Sequence, residues 1–168
     1  MPPPTLPGVT DIRPADPGQA DELTELMHAS SAYRGEYASI LHEFRLTAAD
    51  LSTEPTFVAM RAERPLGFYR LILDPPELDL LFVADHAQGL GLGARLLRHM
   101  LAEAARRGLT AVRIVSHPPA AEFYRRQGAR QVRILPPSPP RVTWSRPEFT
   151  LPVPPAAGCT RPPAPPGS

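Results

Sequence analysis

Lysine and asparagine are absent from this chain of 168 residues, and all 18 of its Lys-or-Arg positions are arginine. A Walker-type phosphate loop places a lysine on the terminal phosphates, so that class of nucleoside triphosphatase is excluded. A single cysteine, Cys159, rules out an internal disulfide, and its surroundings, "PPAAGCTRPPAPPGS", offer little packing to shield a thiol. Charge is nearly balanced: the formal net charge is +1 and no run of five like charges occurs. Nothing here supplies the field that binds a nucleic acid or an anionic membrane. Apolar runs stay far short of the roughly 20 residues that cross a bilayer. The start "MPPPTLPG" has neither the basic region nor the apolar core of a secretion signal. The expectation is a cytoplasmic chain without nucleic-acid or membrane partners. His28, His42, His86, His99 and His117 are scattered without metal-ligand spacing, so no metal is expected. His99, on a helical run, reads as a surface residue.

What the chain has in excess is proline, 24 residues, concentrated at both ends. Residues 1–8 and everything after Pro152 are proline-rich and aperiodic, a composition that buries too little surface to offset the entropy of ordering. The expected organisation is a flexible N-terminus over 1–8, one domain over 9–152 and a disordered tail over 153–168.

Within that domain "VTDIRP" reads as a strand and "ADELTELMHAS" as a helix with Leu23, Leu26 and Met27 on one face, extended through Tyr33 to Leu41. "TFVAMRAERPLGFYRLIL" reads as a hairpin turning near Glu63 and Arg64, and "ELDLLFV" as the next strand. From Gly91 the residues Leu92, Leu96, Leu97, Met100, Leu101, Ala104 and Ala105 recur at helical spacing until "RRG" ends the run. "TAVRIVS" follows as a strand, "PPAAEFYRRQGA" as a short helix stopped by Gly128, then "RQVRIL" and "EFTLPV" as strands around the loop "PPSPPRVTWSRP". Several strands precede the first crossover helix, which predicts an α/β fold with a mixed sheet and helices on its faces.

The stretch "FVADHAQGLGLGARLLRHML" runs from a strand through three alternating glycines into the longest helix. Such a turn removes side chains where backbone N–H groups and a helix N-terminus can meet an anion, though close packing also selects glycine. Gly89, Gly91 and Ala94 fit the dinucleotide pattern G-x-G-x-x-A, but the turn does not open the first βαβ unit and no acidic ribose partner follows about 20 residues on. Gln88, Gly91 and Gly93 also form Q-x-x-G-x-G directly after Leu81, Phe82 and Val83. With this pattern, and with Ala120, Phe123, Tyr124 and Gly128 placed in "HPPAAEFYRRQGA" further on, the chain resembles the GNAT superfamily of N-acyltransferases. His117 stands where that family usually has asparagine. The resemblance covers residues 9 to 152 and is strongest over 78 to 130.

The resemblance implies a GNAT acyl-CoA N-acyltransferase fold: a mixed, mostly antiparallel sheet of six to seven strands with about four helices, splayed between strands 4 and 5. It implies acetyl-CoA as co-substrate, its pyrophosphate on the backbone of Gln88, Gly89, Leu90, Gly91, Leu92, Gly93 and Ala94. Its pantetheine arm would lie beside Leu81, Phe82 and Val83, with His117, Ala120, Phe123 and Tyr124 on the other wall. A backbone N–H near Phe82 or Val83 would polarise the thioester, and Tyr124 matches the family's tyrosine acid. Asp79 is the candidate base, because strand alternation places it on the face of Leu81 and Val83. A core role for Tyr124 and Phe123, and a solvated strand position for Asp79, are the plain alternatives.

The acceptor implied is a small-molecule primary amine, attacking the thioester directly in a ternary complex. Tyr33, Arg34, Tyr37 and Trp144 are the candidates to hold it, offering aromatic faces and a fixed positive charge; helix stapling and edge packing would equally use the aromatics. Two alternatives stay open. The enzyme could use a longer acyl-CoA, a carrier-protein thioester or an aminoacyl-tRNA, or the chain could be a non-catalytic CoA-binding protein docking partners through its P-x-x-P tail. Homodimers are common in the family.

Overall fold

Apolar alternation in "TFVAM" and "LGFYRLIL" sends successive side chains to opposite faces of a strand, and both faces are filled. In the computed structural model, which describes residues 11–33, 35–41 and 43–156, the order is β1 (Asp11–Pro14), α1 (Ala20–His28), α2 (Ala48–Thr53), β2 (Thr56–Arg61), β3 (Arg64–Leu73), β4 (Pro76–Val83), α3 (Leu92–Arg106), β5 (Ala111–Val115), α4 (Ala121–Arg126), β6 (Arg130–Leu135) and β7 (Arg146–Pro152). Arg34 and Cys159 lie outside the described residues. The strands form one seven-stranded sheet in the order β1-β2-β3-β4-β5-β7-β6. Only β4 and β5 pair in parallel among neighbouring strands, as a crossover through α3 demands.

One face of the sheet carries α3 and α4, with Leu92, Leu96, Leu97 and Met100 packed on Tyr69, Leu71, Leu78, Val112 and Ile114. The other carries α1 and α2, with Leu23, Met27 and Leu51 on Val58, Met60, Phe68 and Phe82. The helices stop where glycine permits a left-handed residue. Gly108 (φ 76°) and Gly128 (φ 94°) follow α3 and α4, and the next residues close the ends with Leu109 N to Ala104 O and Ala129 N to Tyr124 O bonds, both 3.0 Å. The hairpin turn between β2 and β3 sits one residue earlier than expected, with Ala62 and Glu63 both at positive φ, the conformation that matches strand twist.

Two local readings change. Tyr33 to Leu41 does not extend α1; it forms 3-10 turns over Ser31–Tyr33 and Gly35–Ile40. The additional helix α2 is opened by a reciprocal cap in which Thr47 Oγ1 accepts from Asp50 N and Asp50 Oδ2 accepts from Thr47 N. His99 is not on the surface: it is half-buried, its Nδ1 lies 2.7 Å from the Tyr69 hydroxyl, and its ring packs on Phe57.

The join between β4 and β5 positions the site. Their ladder holds one residue pair, Glu77 with Arg113, and beyond it the strands part. A charge ladder crosses this join: Glu77 to Arg113 (3.1 Å), Arg113 to Glu148 (3.0 Å) and Glu148 to Arg133 (2.7 Å), linking β4, β5, β7 and β6. Hydrogen bonds from Arg113 and Arg133 hold the Glu148 carboxyl below its ordinary range.

Candidate functional site

Where β4 and β5 part, a cleft of about 890 Å³ opens, and it runs from the glycine turn to the first 3-10 turns. Its β4 wall is shaped by a bulge. Register passes from Arg70 opposite Leu80 to Leu71 opposite Leu78, so Asp79 is the extra residue. The bulge resets strand alternation: Leu81 and Val83 pack toward α3, whereas Leu80 and Phe82 pack toward α1. Asp79 therefore does not share the face of Leu81 and Val83, as simple alternation predicted. It lines the cleft from the α2 side, and its carboxylate accepts a 2.7 Å hydrogen bond from Arg70, which also donates to the Asp50 carbonyl of α2.

The glycine turn has the backbone its sequence demands. Gly89 (φ 77°) and Gly91 (φ 80°) are left-handed, Gly91 is the residue that opens α3, and a Cβ on either would meet open space. Internal packing thus does not require these glycines; the positive φ does. At Gly93 a Cβ would stand 3.5 Å from Phe123, an ordinary contact. The Gln88 side chain turns back to donate to Val83 O and Asp85 Oδ1, both at 3.2 Å. Asp85 in turn accepts from Ser31 N and Oγ, both at 3.0 Å, tying the turn before α3 to the segment after α1. Sequence reading did not find this tie, since nothing local in "ADHAQ" marks it.

Across the cleft, Tyr124 is buried on α4 with its ring near Phe123 and Phe149, and its hydroxyl has no hydrogen-bond partner among the described residues. Burial, with Tyr33 close by, pushes its phenol well above the ordinary value, so it holds its proton throughout the neutral range. Ala120 and Phe123 line the same wall.

The aromatic candidates converge. His117 is buried and stacks on Tyr33 with centroids 4.2 Å apart; Tyr33 also meets Phe82 at 5.3 Å. Tyr37 stands edge-on to both His117 (5.7 Å) and Trp144 (4.8 Å). Burial raises the Tyr33 phenol to about 12. The group joins the segment after α1, the end of β5 and the approach to β7. Arg146, not singled out in the sequence, also lines the cleft. Among the described residues no group of three or more His, Cys, Asp or Glu is arranged to hold a metal, and no helix is long and apolar enough to cross a membrane.

The sequence model of the acetyltransferase (GNAT) family matches residues 21–129, a span that includes α1, the splayed strands, the glycine turn and Tyr124. The chain belongs to the GNAT acetyltransferase family. It is accordingly an acyltransferase, and its seven-stranded mixed sheet is the fold of GNAT structures. A GCN5-related N-acetyltransferase from Rhodopseudomonas palustris superposes with a TM-score of 0.71 at 20% identity, over 88% of this chain and 98% of that one. The ribosomal-protein-S18-alanine N-acetyltransferase of Escherichia coli gives 0.65 at 18%, over 89% and 97%. An aminoglycoside 6'-N-acetyltransferase complexed with coenzyme A gives 0.67 at 18%, over 87% and 98%. No curated protein matches the sequence. The last two are named for different acceptors, a ribosomal-protein alanine and an aminoglycoside, so the acceptor here has to be argued from the cleft itself.

Proposed function

We propose that the chain is an N-acetyltransferase that moves an acetyl group from acetyl-CoA to a primary amine of a small molecule, by direct attack in a ternary complex. The observation that carries this reading is the parting of β4 and β5 beside a left-handed glycine turn at the start of the 15-residue helix α3, with Tyr124 on the opposite wall. The turn over Gln88, Gly89, Leu90, Gly91, Leu92, Gly93 and Ala94 suits a pyrophosphate, because its backbone donors and the helix dipole meet no Cβ at the two left-handed positions. Leu81, Phe82 and Val83 offer peptide groups to the pantetheine arm, one of their N–H groups polarising the thioester carbonyl. His117, Ala120 and Phe123 form the opposite wall.

Transfer breaks the thioester C–S bond, forms a C–N bond to the acceptor, and leaves two protons to place. Tyr124 gives its proton to the departing sulfur, which its raised pKa permits because the hydroxyl arrives protonated. The attacking ammonium loses its proton through water to Asp79, which Arg70 keeps oriented at the cleft wall. Tyr33 lines the acceptor end, backed by Tyr37 and Trp144 through the aromatic cluster, though neither of these lines the cleft itself; Arg34 is kept as a candidate by sequence alone. No metal enters the scheme.

The catalytic unit in this reading is residues 9–152, in the cytoplasm. It pairs as a homodimer through the outer strand β6, where Val132 and Ile134 are 56% and 61% exposed. Sedimentation would show a mass twice that of the chain, and a monomer that stays monomeric at high concentration would remove the pairing. The decisive experiment for function is thiol release from acetyl-CoA across amino acids, polyamines, aminoglycosides and peptide N-termini. Release with one class supports the reading. Tight CoA binding without turnover on any amine favours a CoA-sensing protein, and turnover only with longer acyl donors changes the donor.

A further inference from the structure

Among the described residues, the Asp, Glu and Arg side chains lining the cleft are paired except for one. Glu77 pairs with Arg113, Asp79 with Arg70, and Glu122 with Arg126. Arg146 is half-buried, has no carboxylate among the described residues, and its Nε is shut off from solvent without an acceptor. A guanidinium cannot shed its charge, so its burial beside an open cleft is unfavourable until an anion arrives. Trp144, two residues earlier on the same segment, holds a second buried N–H without an acceptor at its Nε1.

The position of Arg146 separates this anion from any on the donor. The glycine turn lies beyond the end of β4, whereas Arg146 begins β7, on the far side of β5. Ser116 N donates to Pro147 O at 3.0 Å, which brings the start of β7 alongside Ser116 and His117 and the aromatic cluster. Glu148, two residues on, faces Arg113 and so lies on the sheet face opposite Val112 and Ile114; alternation puts Arg146 on that same face, with α1 and α2. The cleft also offers apolar lining on the α1 side, from Ile40, Leu41, Phe44 and Phe82, beside the ring of Tyr33.

We infer that the acceptor is an amino acid with an apolar or aromatic side chain, its carboxylate held by Arg146 and its amine presented to the parted strands. The inference rests on the acetyl-transfer reading and narrows it. A polycationic acceptor such as an aminoglycoside fits poorly, because each carboxylate lining the cleft already has an arginine while a cation stands open.

Two measurements test it. In thiol release with acetyl-CoA, L-phenylalanine, L-tryptophan and L-methionine are expected to exceed their decarboxylated amines by at least about tenfold in kcat/KM, a modest share of what a charge-assisted bidentate pair provides. Arg146→Gln should raise the amino-acid KM by a similar factor and leave the acetyl-CoA KM unchanged, and Arg146→Lys should recover part of the loss. Equal use of the decarboxylated amines, preference for aminoglycosides, or a raised acetyl-CoA KM in Arg146→Gln would overturn the inference. The second measurement is the melting-temperature shift given by L-phenylalanine alone, expected in the native chain and lost in Arg146→Gln. If no amine releases thiol, the acetyl-transfer reading fails; the thermal shift still decides on Arg146, and its absence with all three amino acids counts against the site.

Discussion

Tyr124 and His99 show how burial sets the chemistry of single side chains in this sheet. Replacing Tyr124 by phenylalanine keeps the ring that packs on Phe149 and removes the proton donor. The expected result is a fall in kcat of about 10²-fold with the acetyl-CoA KM little changed; steady-state rates on the best amine check it, and an unchanged kcat would return Tyr124 to a packing role. His99 titrates in the opposite sense from a paired histidine. Burial first, then the charge of Arg106, lowers its pKa below the ordinary 6.5, so the folded chain prefers it neutral. Its contribution is therefore complete above about pH 6.5 and is lost as pH falls toward the depressed value. The melting temperature should drop between pH 7.5 and 5 in the native chain and drop less in His99→Gln, where nothing titrates. Asp79→Asn should lower kcat/KM in thiol release; because Asp79 also anchors Arg70, melting temperature is read alongside. At this scale the sequence was legible where a motif fixes the environment, as for Tyr124, and misleading where one inserted residue shifts a strand. Asp79 occupies the bulge itself, and alternation cannot foresee a bulge that sequence does not mark. Arg146 was illegible because its significance is the lack of a partner, a property of the assembled cleft.

Among the elements, α3 and the β5–β7–β6 ladder carry separate burdens. The turn into α3 depends on left-handed backbone at Gly91, so Gly91→Ala should cost roughly 1–2 kcal/mol in denaturant unfolding; under the proposed function it also weakens acetyl-CoA binding, because the added methyl points into open space. The ladder depends on Glu148, which bridges Arg113 and Arg133 across three strands. Glu148→Gln leaves both arginines short of a counter-charge, and calorimetry should show a melting temperature lower by roughly 3–8 °C. The folded pKa of Glu148 lies below its ordinary 4.5, so the stabilisation is present above that pH and fades on acidification. Periodicity made α1, α3 and most strands legible, and glycine marked the stops of α3 and α4. The stretch from Ser31 to Thr53 was not, since its 3-10 turns are held by remote groups such as Asp85 and its helix α2 spans only Ala48–Thr53.

For the whole molecule, a mixed sheet with helices on its faces was legible because a crossover helix between parallel strands admits few arrangements, whereas the insertion of β7 between β5 and β6 was not, since no local pattern marks which edge a late strand joins. The strand β7 ends at Pro152, and Val153 N still donates to Thr110 O at 2.9 Å. Removing residues 157–168 should therefore leave melting temperature and kcat/KM unchanged, while a cut at Pro152 forfeits that bond; a loss of activity on the shorter deletion would assign the tail a role. The single pairing of Glu77 with Arg113 has a wider consequence. It leaves β4 with an inner margin made of peptide groups, which every amino acid carries, and an opening built from main chain asks little of side-chain identity. Drift can then erase the sequence record faster than the architecture, and the fold here persists among solved structures at 17–20% identity.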